Sequence, residues 1–344
     1  MHITHINLAR GFRGGERQTE LLIKELAKTD IKQTLVCRKD SPMIERLKDI
    51  QSLEFRFANY FFSGHLRAKK CDLSHAHDAK AARWAWIENL LRKTPYIITR
   101  RALNAIKPRT LKGTYKKARK IVAISKAIER GIKSQDESIN TIVIASAASD
   151  LTPDKTRTER IKKLFEGKKI IGSIGALADH KGHSYLIDAA RMIARGDLAF
   201  VVVGDGADEE KLKKRAEGLD NFHFVGFKTN VADYIAAFDL FVFPSLQEGL
   251  GSTLIDVMRI GVPIIASNVG GIPELIEDNI TGFLTPPKDA AAIKEAIEKA
   301  LNRDLSAIVQ AAQKKSYNFT PENMAKRYIE LYRLIVSDQR RESK

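Results

Sequence analysis

Residues 241–267 read FVFPSLQEGLGSTLIDVMRIGVPIIAS. A short apolar run, FVF, leaves through Pro244. A carboxylate, Glu248, and two glycines, Gly249 and Gly251, fill the turn. Ser252 and Thr253 then open an apolar-periodic helix, and VPIIAS follows as a second strand. A strand, a helix and a strand in this order make a parallel pair, because parallel neighbours need a crossover and a helix is the usual one.

The same unit recurs outward in both directions. The C-terminal half offers strands at KIIGSIG, FVVVGDG, FHFVGF, LFVFPS, VPIIAS and GFLTP. The N-terminal half offers HITHINLA, TLVCR, LEFRF, DLSHAH, YIITR, KIVAIS and TIVIAS. Between them lies helical periodicity. In SYLIDAARMI, Leu186, Ile187, Ala190 and Ile193 share one face, and Ser184 is the expected N-cap. Short Val- and Ile-rich strands alternating with helices imply an α/β protein whose parallel sheets are covered on both faces.

The chain's 344 residues exceed the size at which one core stops growing, so two domains are expected. The polar stretch SAASDLTPDKTRTER, residues 146–160, marks the boundary. This gives domains over residues 1–150 and 151–320. Residues 321–344 form a final helix with Thr320 as cap and Pro321 in its first turn. Its stripe of Met324, Tyr328, Leu331, Tyr332 and Ile335 packs either on the second domain or back on the first.

Composition narrows the setting. Hydrophobic residues make up 44%, enough for two cores, and no apolar run approaches the ~20 residues that span a bilayer. MHITHINLAR reads as a first strand rather than a secretory leader. Cys37 and Cys71 are expected as reduced core thiols of a cytoplasmic protein. Residues 1–150 hold 30 Lys and Arg against 15 acids, whereas residues 151–344 hold 28 against 27. The excess charge in the first half points to an anionic partner there, such as a membrane surface, a phosphorylated lipid or nucleic acid. Eleven basic residues fall between Arg92 and Lys120, and FANYFF at 57–62 is either an apolar membrane contact or core.

Ligands of open parallel sheets sit beyond the carboxyl ends of the strands, so the turns there carry the chemistry. Gly249 and Gly251 leave the amides of residues 249–253 open to an anion at a helix start. Ser252 and Thr253 add hydroxyl donors. A carboxylate beside an anion is unfavourable unless it accepts from ligand hydroxyls, so Glu248 suits a ligand with both phosphate and hydroxyls; otherwise it is a local cap. Asp256 lies one turn on from Ser252, on the same helix face. In GSIGALADHKGHSYLI, Lys181 precedes a helix and can reach a pyrophosphate as a flexible point charge. His180 and His183 flank it at a spacing that is a weak metal signal, and no metal is expected. Gly204 and Gly206 follow FVVV, and Gly226 follows FHFV. Gly14 and Gly15 lie between strand one and its helix, but GxGxxG is absent, which counts against a dinucleotide oxidoreductase.

These stretches, together with DLSHAHDAKAA, IVAIS, VVVGDGADEEKL and GGIPELIEDNITGFLTP, resemble the family 4 glycosyltransferases. The resemblance implies the GT-B fold, two Rossmann-like domains whose parallel sheets face a central cleft. It implies transfer of a sugar, with retention of configuration, from a UDP- or GDP-sugar to a glycan or glycolipid. It also implies no further cofactor or metal, a donor held by the C-terminal domain, an acceptor at the N-terminal domain, and a last helix that crosses back. By position, Glu248 is the first acid of the family's paired-acid motif and Asp256 stands at the second, one methylene short. Lys181 matches the phosphate lysine. Gly15, Gly175, Gly204, Gly249, Leu250, Gly251, Ser252 and Thr253 fall among donor contacts, and Phe227 lies where the nucleobase docks. Catalysis would rest on Glu248 and Lys181.

The chain departs from the family at Ala176, where an arginine is usual, and at Arg100 and Arg101, where relatives place a histidine. With His75 and His77, these two arginines are acceptor-side candidates; the histidines serve equally as strand-end residues bonded to backbone. By resemblance and charge, lipopolysaccharide-core or surface-polysaccharide assembly is the expected setting, with peripheral attachment to the inner membrane. A non-catalytic relative that binds nucleotide or an anionic glycolipid is the alternative. A nucleic-acid-binding protein is the second alternative, but no recognition helix or stacking platform is evident, so no nucleic-acid partner is expected.

Overall fold

The apolar strands pair in two all-parallel sheets in the computed structural model, which describes residues 1–58, 65, 70–149 and 151–342. The chain divides into two compact units, Met1–Ser149 with Phe319–Lys344, and Asp150–Asn318.

Unit 1 holds β1 (His2–Ile6), β2 (Lys32–Cys37), β3 (Leu53–Phe57), β4 (Leu73–Ala76), β5 (Tyr96–Arg100), β6 (Lys120–Ala123) and β7 (Thr141–Val143). Among the described residues their order is β3-β2-β1-β4-β5-β6-β7. The order reverses between β1 and β4, which pair with His5 opposite His75. The helix Pro321–Glu342 belongs to this unit. Its Met324, Tyr328, Leu331, Tyr332 and Ile335 join Ile3, Leu22, Leu73, Ile97 and Val122 in one core. Burying each large apolar side chain stabilises by about 1.5–3 kcal/mol, so this stripe is a sizeable part of the unit's core. Thr320 caps the helix, accepting from the Asn323 amide at 3.1 Å. Cys37 is buried in β2 and Cys71, partly buried, precedes β4; both are free thiols.

Unit 2 holds β8 (Lys169–Ile174), β9 (Leu198–Val203), β10 (Phe222–Phe224), β11 (Leu240–Phe243), β12 (Ile264–Ser267) and β13 (Phe283–Thr285). Their order is β10-β9-β8-β11-β12-β13, reversing between β8 and β11. Every residue of β9 is buried, as a central strand covered on both faces requires. Gly172 of β8 is fixed by packing, since a Cβ there would fall 2.0 Å from the Phe238 ring. Asp154 caps the unit's first helix, Lys155–Lys163, accepting from the Arg157 amide at 2.8 Å.

Two expectations need adjustment. The helix containing SYLIDAARMI starts at His183, with Gly182 rather than Ser184 as its cap. Gly182 has φ +69, and its backbone lies so close to the Pro244 carbonyl that a Cβ would fall 2.0 Å from that oxygen. The helix therefore begins where the chain makes this contact. Of FANYFF, Phe57 ends β3 and Ala58 is buried, while residues 59–62 lie outside the described residues.

Candidate active site

In unit 2 the strand order reverses between β8 and β11, so the turns leaving these two strands open a crevice at their carboxyl ends. The turns are knitted together by backbone. Leu246 donates its amide to the His180 carbonyl at 2.8 Å, and Gly182 packs on Pro244. This brings Lys181 Nζ to 2.6 Å from Glu248 Oε2, with side chains 20% and 18% exposed. The ammonium also stands 5.5 Å from the centre of the Phe243 ring. The lysine after one strand and the acid after its neighbour thus form one ion pair, open to solvent on one side.

The helix Ser252–Ile260 begins beside it. Gly251, at φ +86, is its N-cap, and no side chain caps its first amides. Ser252 and Thr253 are partly exposed, whereas Gly249 and Leu250 are buried. An uncapped helix start next to a lysine is a ready anion site, through amide donors and the positive end of the helix dipole. Asp256 is on the buried part of this helix, at 8% exposure.

The neighbouring turns are built by close backbone packing. A Cβ on Gly204 would meet the Gly175 carbonyl oxygen at 2.0 Å, and one on Gly206 the Leu177 oxygen at 2.3 Å. One on Gly271 would meet the Gly249 oxygen at 2.2 Å, and the Gly271 amide donates to the Glu248 carbonyl at 3.1 Å. These glycines therefore hold successive turns against each other. Beyond β10, Phe227 is 65% exposed, a large apolar ring in water at the carboxyl edge of the sheet.

Two buried polar side chains near these turns were not singled out by the sequence, Ser173 at the end of β8 and Ser245 in the turn after β11; His183, which was, is buried as well. His183 Nε2 lies beside Gly175, where a Cβ would be 3.7 Å away. Burial, and then the Lys181 charge, push its pKa down to about 4. His180 is exposed while His183 is buried, so the two do not converge.

In unit 1, His75 and His77 are both buried. His75 Nδ1 bonds the Tyr332 hydroxyl at 2.6 Å and its Nε2 the Thr99 hydroxyl at 2.7 Å. His77 Nε2 meets His5 Nδ1 at 3.1 Å. Nitrogens of His5, His75 and His77 lie within 4.8 Å of one another, a distance that admits a metal. Both His75 nitrogens are engaged, however, and the Arg101 charge bears on His75 and His77. The cluster therefore fits a hydrogen-bonded core better than a metal centre. Arg100 bonds the Asn104 side chain at 2.8 Å, and Arg101 Nη1 donates to the His77 carbonyl at 2.9 Å.

The buried imidazoles set an acid limit. Burial lowers His5 to about 3 and His183 to about 4. Between these values and the unfolded pKa near 6.5, the unfolded chain binds more protons, so stability falls as pH drops through that window. We expect the urea midpoint to fall from pH 7 to pH 4.5, each such imidazole costing roughly 2–3 kcal/mol. An unchanged midpoint would contradict the burial of these rings as neutral groups.

The two parallel sheets define a fold class, and comparison with solved structures agrees. The fold is that of GT-B glycosyltransferases. The chain superposes on Anabaena HepE, solved with UDP and glucose, at a TM-score of 0.84, with 18% identity over 96% of this chain and 99% of that one. Residues 154–318 match the family described as glycosyl transferases group 1, so unit 2 is a group 1 glycosyltransferase domain. Two curated relatives are the 2-deoxystreptamine N-acetyl-D-glucosaminyltransferase of Niallia circulans, 32% identical over 50% of this chain and 47% of its own length, and the lipopolysaccharide core mannosyltransferase LpsB of Rhizobium meliloti, 31% identical over 53% and 56%. The chain thus spans about half the length of these relatives.

Proposed function

We propose that the chain is a retaining glycosyltransferase that moves a sugar from a nucleoside-diphosphate donor to a glycan or glycolipid. The observation that carries this reading is the Lys181–Glu248 pair, 2.6 Å apart beside an uncapped helix start. Such a pair offers a cation and amides to a diphosphate, and a carboxylate to sugar hydroxyls. A bound donor separates the two side chains, each taking a ligand group in place of the other. The exposed ring of Phe227 would stack the base, and Gly175 and Gly204 would border the donor.

In this mechanism the anomeric carbon–oxygen bond breaks and the electron pair leaves with the nucleoside diphosphate. Lys181 and the amides of Ser252 and Thr253 stabilise the charge that develops there. Glu248 holds the sugar hydroxyls as the ring becomes oxocarbenium-like. The acceptor oxygen bonds to the face the leaving group vacates, and its proton passes to the departing phosphate. A thermal-shift panel of nucleoside diphosphates and their sugars tests the reading, since a bound ligand raises the melting temperature. Stabilisation by at least one is expected; no response to any nucleotide would remove the proposal.

The setting we favour is lipopolysaccharide-core or surface-polysaccharide synthesis in the cytoplasm, in keeping with the relative LpsB. Contact with an anionic membrane face is part of that reading. Lys107, Arg109, Lys112 and Lys117 are exposed, and no ion pair among the described residues includes them. No helix among the described residues is long and apolar enough to cross a membrane. Binding to vesicles containing anionic lipid should weaken as salt rises. Binding that ignores both salt and lipid charge would defeat the membrane contact.

A further inference from the structure

The mechanism leaves one polar ring beside the crevice without a task. His183 opens the helix His183–Ile193, and only 3% of it is exposed. Both ring nitrogens are buried, and neither has a hydrogen-bond partner of good geometry. The Ala176 backbone bears on the ring as an acceptor, but its carbonyl already takes the Ala178 amide at 2.9 Å. A buried polar group left unpaired is unfavourable, and an apolar residue of the same shape avoids that cost. A polar ring kept at this position answers to another state of the site.

The surroundings say which state. Gly182, the residue before the ring, packs on the Pro244 carbonyl, so the helix start is held against the turn after β11. Gly175, the first residue after β8, lies against the ring. A Cβ on Gly175 would stand 3.7 Å from His183 Nε2, 3.8 Å from Lys181 Cδ and 3.9 Å from Lys181 Cγ. The ring edge and the lysine stem therefore border the same methyl-sized gap, at the carboxyl end of β8 where the crevice opens. The stem takes this position while Lys181 Nζ is held on Glu248. Burial, and then the Lys181 charge, keep the ring neutral, so it has one N–H to give.

We propose that His183 is a further diphosphate-binding residue, whose Nε2–H hydrogen-bonds a phosphate oxygen once Lys181 has left Glu248. The assignment rests on the reading of the crevice as the nucleotide-sugar site, and adds one side chain to it. When the ammonium turns to the diphosphate, its stem moves from the gap beside Gly175 and uncovers the ring edge. The N–H then exchanges a shared carbonyl for an anionic oxygen, and such charge-assisted bonds are the stronger ones. A neutral ring suits the place, because an imidazolium there would repel Lys181.

The test titrates the full chain with UDP and with GDP by calorimetry, and follows the melting temperature of the free chain. His183→Phe keeps a buried ring and removes both nitrogens. It should weaken the bound nucleotide by ~10-fold, the worth of one hydrogen bond to a charged group, while the free chain melts no lower than the parent. His183→Gln, whose side-chain amide reaches the Nε2 position, should recover most of that affinity. A purely structural histidine gives the opposite pattern, a lower melting temperature with affinity unchanged. Gly175→Ala is an independent variant. The Gly175 backbone is outside the left-handed region and its new methyl would touch Nε2 without overlap, so the chain folds with the nitrogen covered. It should weaken the nucleotide by a similar factor in the parent and add little in His183→Phe; additive losses would contradict a shared route. Affinity within about twofold of the parent in His183→Phe would overturn the assignment. If Lys181→Ala then still loses affinity, the reading of the crevice stands and only His183 leaves it; if neither variant loses affinity, both fall.

Discussion

Replacing Glu248 by alanine is expected to cut sugar transfer by ~10³-fold while leaving nucleoside diphosphates bound as tightly as before, or tighter. The reason is the ion pair. In the free chain Glu248 Oε2 holds Lys181 Nζ at 2.6 Å. Without the acid the ammonium has no carboxylate to leave before it meets a phosphate, so affinity for the diphosphate does not fall. The sugar, however, loses the acceptor that orients its hydroxyls. Glu248→Gln keeps the size of the side chain and part of its hydrogen bonding, so its loss should be smaller. The comparison is made by measuring turnover and, separately, the diphosphate dissociation constant. Wild-type turnover in Glu248→Ala would remove the acid from the mechanism.

Lys181→Ala should fail in the opposite way. It removes the cation and leaves Glu248, whose side chain is 18% exposed, facing the incoming phosphates without its partner. Both changes weaken the diphosphate, and ~10- to 100-fold in its dissociation constant is expected. Turnover should fall as well, because the leaving group loses its main counter-charge. Lys181→Arg keeps the charge but not the compact ammonium, and should recover affinity more than rate. Diphosphate affinity within twofold of the parent would contradict the role given to Lys181.

The contrast between these variants shows which parts of the site could be read from sequence. Lys181 and Glu248 stood out because each occupies a turn after a strand and bears a charge that a plain helix start does not need. Their meeting at 2.6 Å depends on strand order, which brings β8 next to β11 although β9 and β10 intervene in the chain. The α/β alternation was legible because buried parallel strands are uniformly apolar, as in β9.

Other features could not be read because they depend on what packs from a distance. Alternation along DLSHAH puts His75 and His77 on one face, but says nothing of what covers it. Tyr332 does so for His75, from 257 residues away. The glycines of the turns looked like room for a ligand. At Gly204 and Gly206 the room is taken by neighbouring backbone. Arg100 and Arg101 are adjacent and chemically alike in sequence; only the fold sends one to Asn104 and buries part of the other. Ser184 had the chemistry of a cap, but the contact of Gly182 with Pro244 sets the helix start.

The most direct measurement is a crystal structure of the chain with a nucleoside diphosphate. The account predicts its terminal phosphate within hydrogen-bonding reach of Lys181 Nζ and the Ser252 and Thr253 amides, with Glu248 turned away from the lysine. A diphosphate bound elsewhere, with the Lys181–Glu248 pair intact, would contradict it.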